Sequence, residues 1–112
     1  MQAAERPTKK AFKGFELYSW QDSDGSWLFA LMPGTNRLKT ELEIKKKENR
    51  ISGVKELEKR FSNLSVGENV YWFNTDSTGF EFPDDVIINE IILSAKKAKI
   101  ELYLPQRINR KS

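Results

Sequence analysis

The stretch "FKGFELYSWQDSDGSWLFALMP", residues 12–33, predicts a β-hairpin. Two runs rich in aromatic and aliphatic residues flank a short polar centre, which is the composition of two strands joined by a turn. We expect Asp24 and Gly25 to form a two-residue type I′ turn, because Asp and Gly tolerate the positive φ angles that this turn requires. The fold of the whole chain then depends on how the remaining segments add to this hairpin.

The hairpin is predicted to be apolar on both faces. Pairing about a two-residue turn places Trp20 opposite Phe29 and Tyr18 opposite Leu31, and such pairs are favourable across antiparallel strands. The other face of the hairpin then carries Phe15, Leu17, Leu28, Ala30 and Met32.

The acidic residues of the turn do not match a calcium loop. An EF-hand loop needs oxygen ligands at positions 1, 3 and 5, glycine at position 6 and glutamate at position 12. With Gly25 at position 6, Trp20 takes position 1 and Leu31 takes position 12, and neither side chain binds a cation. We therefore predict that Asp22 and Asp24 are exposed turn residues and that Ca²⁺ does not stabilise the protein.

Two amphipathic helices and two more strands are predicted after the hairpin. Residues 52–64 follow a candidate N-cap, Ser52, and residues 83–98 open with Pro83; both segments repeat apolar residues at helical spacing. The segments "NVYWFN" and "KIELYL" have the composition of strands. The order ββαβαβ predicts an α/β (α+β-like) fold, with a four-stranded mixed sheet and two main helices. We divide the chain into a flexible N-terminal segment 1–11, a single domain 12–105 and a basic C-terminal tail 106–112.

A polar rim is predicted where two strands end. If the second hairpin strand and "NVYWFN" both lead into right-handed crossovers, they are parallel and end at the same edge of the sheet. Open α/β sheets usually bind ligands at that edge. The candidate ligand-binding residues are Asn36, Arg37, Asn74 and Asp76.

The aromatic residues suggest an interaction surface. If both helices cover one face of the sheet, alternate positions of the strands place aromatic side chains on the other face, and monomers rarely leave a large apolar patch uncovered. The alternative is that the helices lie on opposite faces and every aromatic side chain belongs to the core. The candidate surface residues are Tyr18, Trp20, Trp27, Phe29, Tyr71, Phe73 and Tyr103.

Composition limits the chemistry of the chain. It contains no cysteine and no histidine, which removes thiolate zinc sites, thiol catalysis and the serine-histidine triad. An enzyme would have to use carboxylates, lysine, hydroxyl groups or Mg²⁺, and the sequence assembles no such site, so we predict no catalytic residue, no metal site and no cofactor. No apolar run reaches the roughly 18 residues of a membrane span.

The chain is mildly basic. The chain has 19 basic and 16 acidic residues, a net charge of +3. Basic clusters at residues 45–50 and in the tail are typical of solvated segments. The first residues lack the apolar core of a signal peptide. We expect a cytoplasmic protein by default, with the mature part of an exported protein as the alternative.

Residues 13–40 resemble a group of short bacterial proteins. The shared features are a Lys-Gly-aromatic-Glu-Leu-Tyr-Ser-Trp strand, here "KGFELYSW", followed by a Gly-Thr-Asn-Arg turn, here "GTNR". That group is uncharacterised, so the resemblance implies a bacterial single-domain protein and assigns no role to any residue.

Together these patterns predict a non-catalytic binding or assembly domain, with a homodimer or a protein partner as the first expectation. Two alternatives stay open. One is binding of single-stranded nucleic acid on exposed aromatic side chains, or of an anionic ligand at the polar rim. The other is a carboxylate-based or Mg²⁺-dependent enzyme.

Overall fold

Strands and helices alternate along the chain after an initial hairpin. A computed structural model describes residues 14–35, 39–74 and 79–104. The strands are β1 Phe15–Gln21, β2 Trp27–Pro33, β3 Ile51–Ser52, β4 Asn69–Trp72 and β5 Glu101–Tyr103. The helices are α1 Glu41–Ile44, α2 Gly53–Ser62 and α3 Asp85–Ala98, with a 3-10 turn at Lys47–Asn49. Within these ranges, no helix is both long enough and apolar enough to cross a membrane.

The strands form one mixed sheet in the order β3-β2-β1-β4-β5. Strand β2 is antiparallel to β1 and β3, whereas β1 and β4, and β4 and β5, are parallel neighbours. The mixed sheet and the two main helices are confirmed. The expectation of four strands is wrong, because Ile51–Ser52 adds a fifth strand at the edge beside β2.

This short strand also changes which strands are parallel. Because β3 is antiparallel to β2, the chain enters α2 in the direction of β1, and the first crossover is β3-α2-β4. The predicted crossover from β2 to β4 is therefore wrong, and β2 is the antiparallel member of the sheet. Consequently the C-terminal ends of β2 and β4 lie at opposite ends of the sheet along the strand direction.

The hairpin register differs by one residue from the predicted register. Trp20 lies opposite Leu28 and Tyr18 lies opposite Ala30. The turn is longer than two residues: the Asp22 amide donates to the Ser26 carbonyl at 2.8 Å, the Gly25 amide donates to the Asp22 carbonyl at 3.0 Å, and Gly25 has a φ of 89°. This is the geometry of a three-residue hairpin loop that ends in a glycine. A shift of one residue moves every side chain of β2 to the other face.

Side-chain caps define two of the helix starts. Thr40 forms a capping box with Glu43 before α1, and the Asp84 carboxylate accepts a hydrogen bond from the Ile87 amide at 3.1 Å before α3. Such caps satisfy amides that have no partner inside the helix. Ser52 stands at the predicted N-cap of α2, but its side chain makes no capping hydrogen bond.

Both long helices pack on the same face of the sheet, which we call the helix face. Leu57 and Phe61 of α2 and Ile91 of α3 are fully buried there against Leu17 and Phe29 of the hairpin. The alternative arrangement, with the two helices on opposite faces, is therefore wrong. The second face of the sheet has to be covered by other segments or to remain exposed.

The second face has a smaller core of its own. Ile44 of α1 and the partly buried Phe80 pack on the hairpin side of this face. At the end of α1, Lys45 Nζ lies 5.3 Å from the ring centroids of both Trp20 and Phe80, and 2.9 Å from the Glu41 carboxylate. The buried residues of this cluster are Tyr18, Trp20, Leu28, Ala30 and Ile44.

Candidate interaction surface

The part of the second face formed by β4 and β5 carries three aromatic side chains that are accessible to solvent. Tyr71 and Tyr103 are direct partners in the ladder of β4 and β5, and Phe73 follows at the end of β4. Phe73 is 38% exposed and Tyr103 is 44% exposed, whereas Tyr71 is half-buried. We call Tyr71, Phe73 and Tyr103 the aromatic surface.

The two tyrosine rings are stacked across the strands. Their centroids are 4.6 Å apart and their planes differ by 13°. The distance between the rings is therefore close to the spacing of about 4.8 Å between neighbouring strands. The Tyr103 hydroxyl also donates to the Asn69 side-chain oxygen at 3.3 Å. Among the described residues β5 is the outermost strand on this side of the sheet, so the ring face of Tyr103 that turns away from Tyr71 is directed towards the sheet edge.

A glycine on the other side of Tyr71 lets the backbone approach this stack. Gly14 has a φ of 143°, and a Cβ atom added to it would lie 2.7 Å from the Asn69 carbonyl oxygen and 3.3 Å from the Tyr71 ring. A larger residue would therefore push against both the backbone of β4 and the Tyr71 side chain. The glycine of the "KGFELYSW" motif thus has a local structural explanation.

A buried ion pair borders the aromatic surface. Glu16 is the ladder neighbour of Tyr71 on β1, and its carboxylate lies 2.8 Å from Lys39 Nζ, with only 5% of the Lys39 side chain and 4% of the Glu16 side chain exposed. Lys39 Nζ also donates to the Thr35 hydroxyl at 3.1 Å. Buried charges are costly unless they are paired and hydrogen-bonded, so this pair holds Lys39 firmly against β1.

Tyr18 completes the polar cluster next to the ion pair. Its hydroxyl donates to the Glu16 carboxylate at 2.7 Å. Burial, followed by the hydrogen bond to Glu16 and the negative charges of Glu16 and Glu43, raises the pKa of Tyr18 far above its usual range. The phenol therefore stays neutral and acts as a hydrogen-bond donor. Because Lys39 immediately precedes the N-cap of α1, the cluster of Glu16, Tyr18 and Lys39 fixes the position at which α1 begins.

The predicted set of seven surface aromatics is thus divided into three groups. Tyr71, Phe73 and Tyr103 form the aromatic surface. Tyr18 and Trp20 lie on the same face but are buried under α1 and Phe80. Placing Trp27 and Phe29 with them was wrong: the one-residue change of register puts both on the helix face, where Phe29 is fully buried.

The predicted polar rim does not have the shared edge that we expected. Strands β2 and β4 end at opposite edges, because Pro33 lies opposite Phe15 at the start of β1 while Trp72 lies opposite Leu17 further along it. Of the four candidate residues, Asn36, Arg37 and Asp76 lie outside the described residues. Asn74 is described. It follows the end of β4, and therefore lies at the opposite end of the sheet from the end of β2.

Asn74 takes part in a network that closes the sheet beyond the end of β4. Its side-chain oxygen accepts from the Ser19 amide at 2.9 Å, and its side-chain nitrogen donates to the Glu81 carbonyl at 2.8 Å. The Ser19 hydroxyl also donates to the Glu81 carbonyl, and Trp72 Nε1 donates to the Ser19 hydroxyl at 3.1 Å. These bonds attach Glu81 to β1 where β4 no longer continues, which is a structural role for Asn74.

The acidic turn is exposed, as predicted. Both Asp22 and Asp24 are exposed, and the Asp24 carboxylate accepts from the Ser26 amide at 3.0 Å. That backbone hydrogen bond is the main cause of the lowered pKa of Asp24. Among the described residues, no three acidic side chains come together in a way that could hold a metal ion.

Glu16 and Lys39 are the residues that sequence reasoning missed. A glutamate inside an otherwise apolar strand was a usable signal, since a charged residue on a strand that is apolar on both faces needs a buried partner. Its partner is 23 positions away, and the intervening residues contain no pattern that would select Lys39.

Comparison with known proteins adds no further information on this surface. No protein-family model, no curated protein and no solved structure matches the chain.

Proposed function

We propose that this protein is a binding or assembly domain whose contact region is the aromatic surface. The observation that carries this proposal is the unequal cover of the sheet: both long helices lie on one face, while Tyr71, Phe73 and Tyr103 lie together on the other. Aromatic residues are enriched at protein interfaces because they bury a large area at a small cost in conformational entropy.

The buried polar cluster supports the same proposal. Glu16 and Lys39 form their ion pair directly beside Tyr71, so the border of the aromatic surface is held by a charged pair with little freedom to move. A contact surface that is rigid before binding loses less entropy when its partner docks. The cluster therefore serves binding by preorganising the surface, without touching the partner itself.

Self-association measured by sedimentation equilibrium tests the proposal. We expect wild type to show a concentration-dependent increase in mass, and we expect the Phe73→Ser/Tyr103→Ser double variant to lose it. Moderate salt should have little effect, because the contact is mainly apolar. Circular dichroism and urea unfolding would establish that the double variant is folded.

A double variant on the helix α3 provides the matched control. Val86 and Leu93 are more exposed than Phe73 and Tyr103, so Val86→Ser/Leu93→Ser removes at least as much accessible apolar surface from a different part of the molecule. We expect this control to associate like wild type. Equal loss of association in both double variants would contradict a role for the aromatic surface.

Single-stranded nucleic acid is the second candidate partner, and the Tyr71–Tyr103 stack is the observation that favours it. Bases stack on exposed aromatic rings in many single-strand binding proteins. This candidate predicts a monomer that binds an oligonucleotide with an affinity that falls steeply as salt is raised. A fluorescence titration at two salt concentrations separates it from assembly.

A further inference from the structure

The outer edge of β5 is open to another strand in the part of the chain that the structure describes. No described strand lies beyond β5 in the sheet. The Glu101 amide donates to the Glu68 carbonyl at 2.8 Å, so the backbone groups of Glu101 point towards β4. Successive residues of a strand point their backbone groups to opposite sides. The N–H and C=O groups of Leu102, and those of Leu104 when the strand continues by one residue, therefore point to the open edge.

Within the proposed function, we infer that the partner is a second copy of this chain, which pairs its own β5 antiparallel to this edge with Tyr103 opposite Tyr103 of the second copy. In this register Leu102 of each copy exchanges two backbone hydrogen bonds with Leu104 of the other, which gives about four such bonds in total. No N–H beyond Leu104 is used, and the next residue in the sequence, Pro105, has none to donate.

The tyrosine stack favours this register. Tyr103 becomes a pair without hydrogen bonds, in which Cα atoms of opposite residues are only about 4.5 Å apart and side chains are closest. The exposed ring face of Tyr103, which is directed to the edge, then meets the same face of its counterpart. The 4.6 Å stack of Tyr71 and Tyr103 thus continues across the interface as four rings.

Self-complementarity is the reason for choosing a second copy over another partner. A two-fold interface requires that a surface match itself. The leucines meet on the helix face, where Leu102 and Leu104 already pack against the main core. The one charged residue of β5, Glu101, lies two positions from the axis, so the two glutamates do not face each other. The net charge of +3 per copy opposes association only weakly.

Opposite charges at position 103 provide a test that is specific to this register. Tyr103→Lys and Tyr103→Glu each place like charges opposite each other, and we expect the dissociation constant of each to rise at least about tenfold above that of wild type. An equimolar mixture of the two variants places lysine opposite glutamate and should recover dimers. Tyr103→Phe keeps the ring and should dimerise like wild type. Leu93→Lys adds one charge to an exposed apolar residue of α3 and should leave dimerisation unchanged.

The outcomes separate this inference from the proposed function. Recovery of the dimer by the mixture in sedimentation equilibrium supports the β5 pairing, because this register places position 103 of one copy opposite position 103 of the other. Dimers of wild type that are lost in Phe73→Ser but persist in both charged variants would overturn the β5 pairing and retain the assembly function. A wild-type monomer at all concentrations would overturn the β5 pairing and the assembly function together, and oligonucleotide binding by that monomer would leave nucleic acid as the partner of the surface.

Discussion

Replacement of Lys39 by methionine should destabilise the protein far more than the same replacement at an exposed ion pair. Lys39→Met keeps the aliphatic part of the side chain and leaves the Glu16 carboxylate buried without its cation. At the observed 2.8 Å, the attraction between two unit charges is about 6 kcal/mol with an effective dielectric constant of about 20. Desolvation of the two ions offsets much of that attraction, but once a buried pair is broken the remaining charge is uncompensated, at a cost of about 3–5 kcal/mol.

Urea unfolding of four variants would measure this effect. The free energy of unfolding of a domain of this size is about 5–15 kcal/mol, so Lys39→Met removes a large fraction of it. Glu16→Gln should also be destabilising, since it leaves the Lys39 ammonium buried. The double variant Glu16→Gln/Lys39→Met contains no buried charge and should lose less than the sum of the two single variants, by about 1–3 kcal/mol.

The exposed pair Lys97–Glu58 supplies the control. Its atoms are 3.1 Å apart, almost as close as those of Lys39 and Glu16, but the Lys97 side chain is 73% exposed. Lys97→Met should therefore change the free energy of unfolding by less than about 1 kcal/mol. If Lys39→Met costs as little as Lys97→Met, or if the double variant loses the full sum, the buried pair does not hold Lys39 to β1 as we have argued.

Three further predictions concern the backbone and two titrating groups. Gly14→Ala should lower the free energy of unfolding by about 1–3 kcal/mol, because Gly14 has a φ of 143° and the added Cβ would contact the Asn69 carbonyl oxygen. Gly53 has a φ of 85° and no atom within 4 Å of an added Cβ, so Gly53→Ala should cost about 1 kcal/mol in the same urea assay. The raised pKa of Tyr18 means that the unfolded phenol loses its proton first. The contribution of Tyr18 to stability should therefore be constant below the unfolded pKa of about 10 and fall above it. A wild-type urea midpoint that falls no more steeply above that pH than the midpoint of Tyr18→Phe would contradict this. The lowered pKa of Asp24 contributes stability that is present above the pKa of the unfolded chain and lost as pH falls through the pKa of the folded protein. Asp24→Ala should therefore flatten the acid side of the profile of stability against pH. An increase in the melting temperature of wild type in excess Ca²⁺ would contradict the prediction that this turn binds no calcium.

The long-period features of the fold could be predicted from the sequence. Helices α2 and α3 have enough residues to show a repeating apolar face, and both were located to within a few residues of their observed bounds. Strand β3 was not predicted, because two residues are too few to show any alternation. That omission reversed the inferred direction of the chain into α2, and the error then propagated to the polar rim.

The assignment of side chains to faces failed for a similar local reason. The residues around Asp24-Gly25 are compatible with a two-residue turn and with a three-residue turn. The two turns differ by one residue in the register of the hairpin. That single residue moved Trp27 and Phe29 from the proposed surface into the core. Tyr71 and Tyr103 lie on one face, as predicted. Strands β4 and β5 are not joined by a tight turn, so the alternation of side chains along them does not depend on the length of a turn.

The exposure of the aromatic surface follows from the order of the strands. Both crossovers, β3-α2-β4 and β4-α3-β5, advance in the same direction across the sheet, and crossovers of the same hand that advance in one direction place their helices on one face. The second face then depends on α1, whose four residues span only about 6 Å, whereas five strands span about 19 Å. Because the buried Glu16–Lys39 pair fixes the start of α1 over β1, the short helix covers the hairpin and leaves Tyr71 and Tyr103 uncovered by any described helix. A longer helix α1 directed across β4 would bury these rings, and such a variant should lose self-association while keeping the rest of the fold.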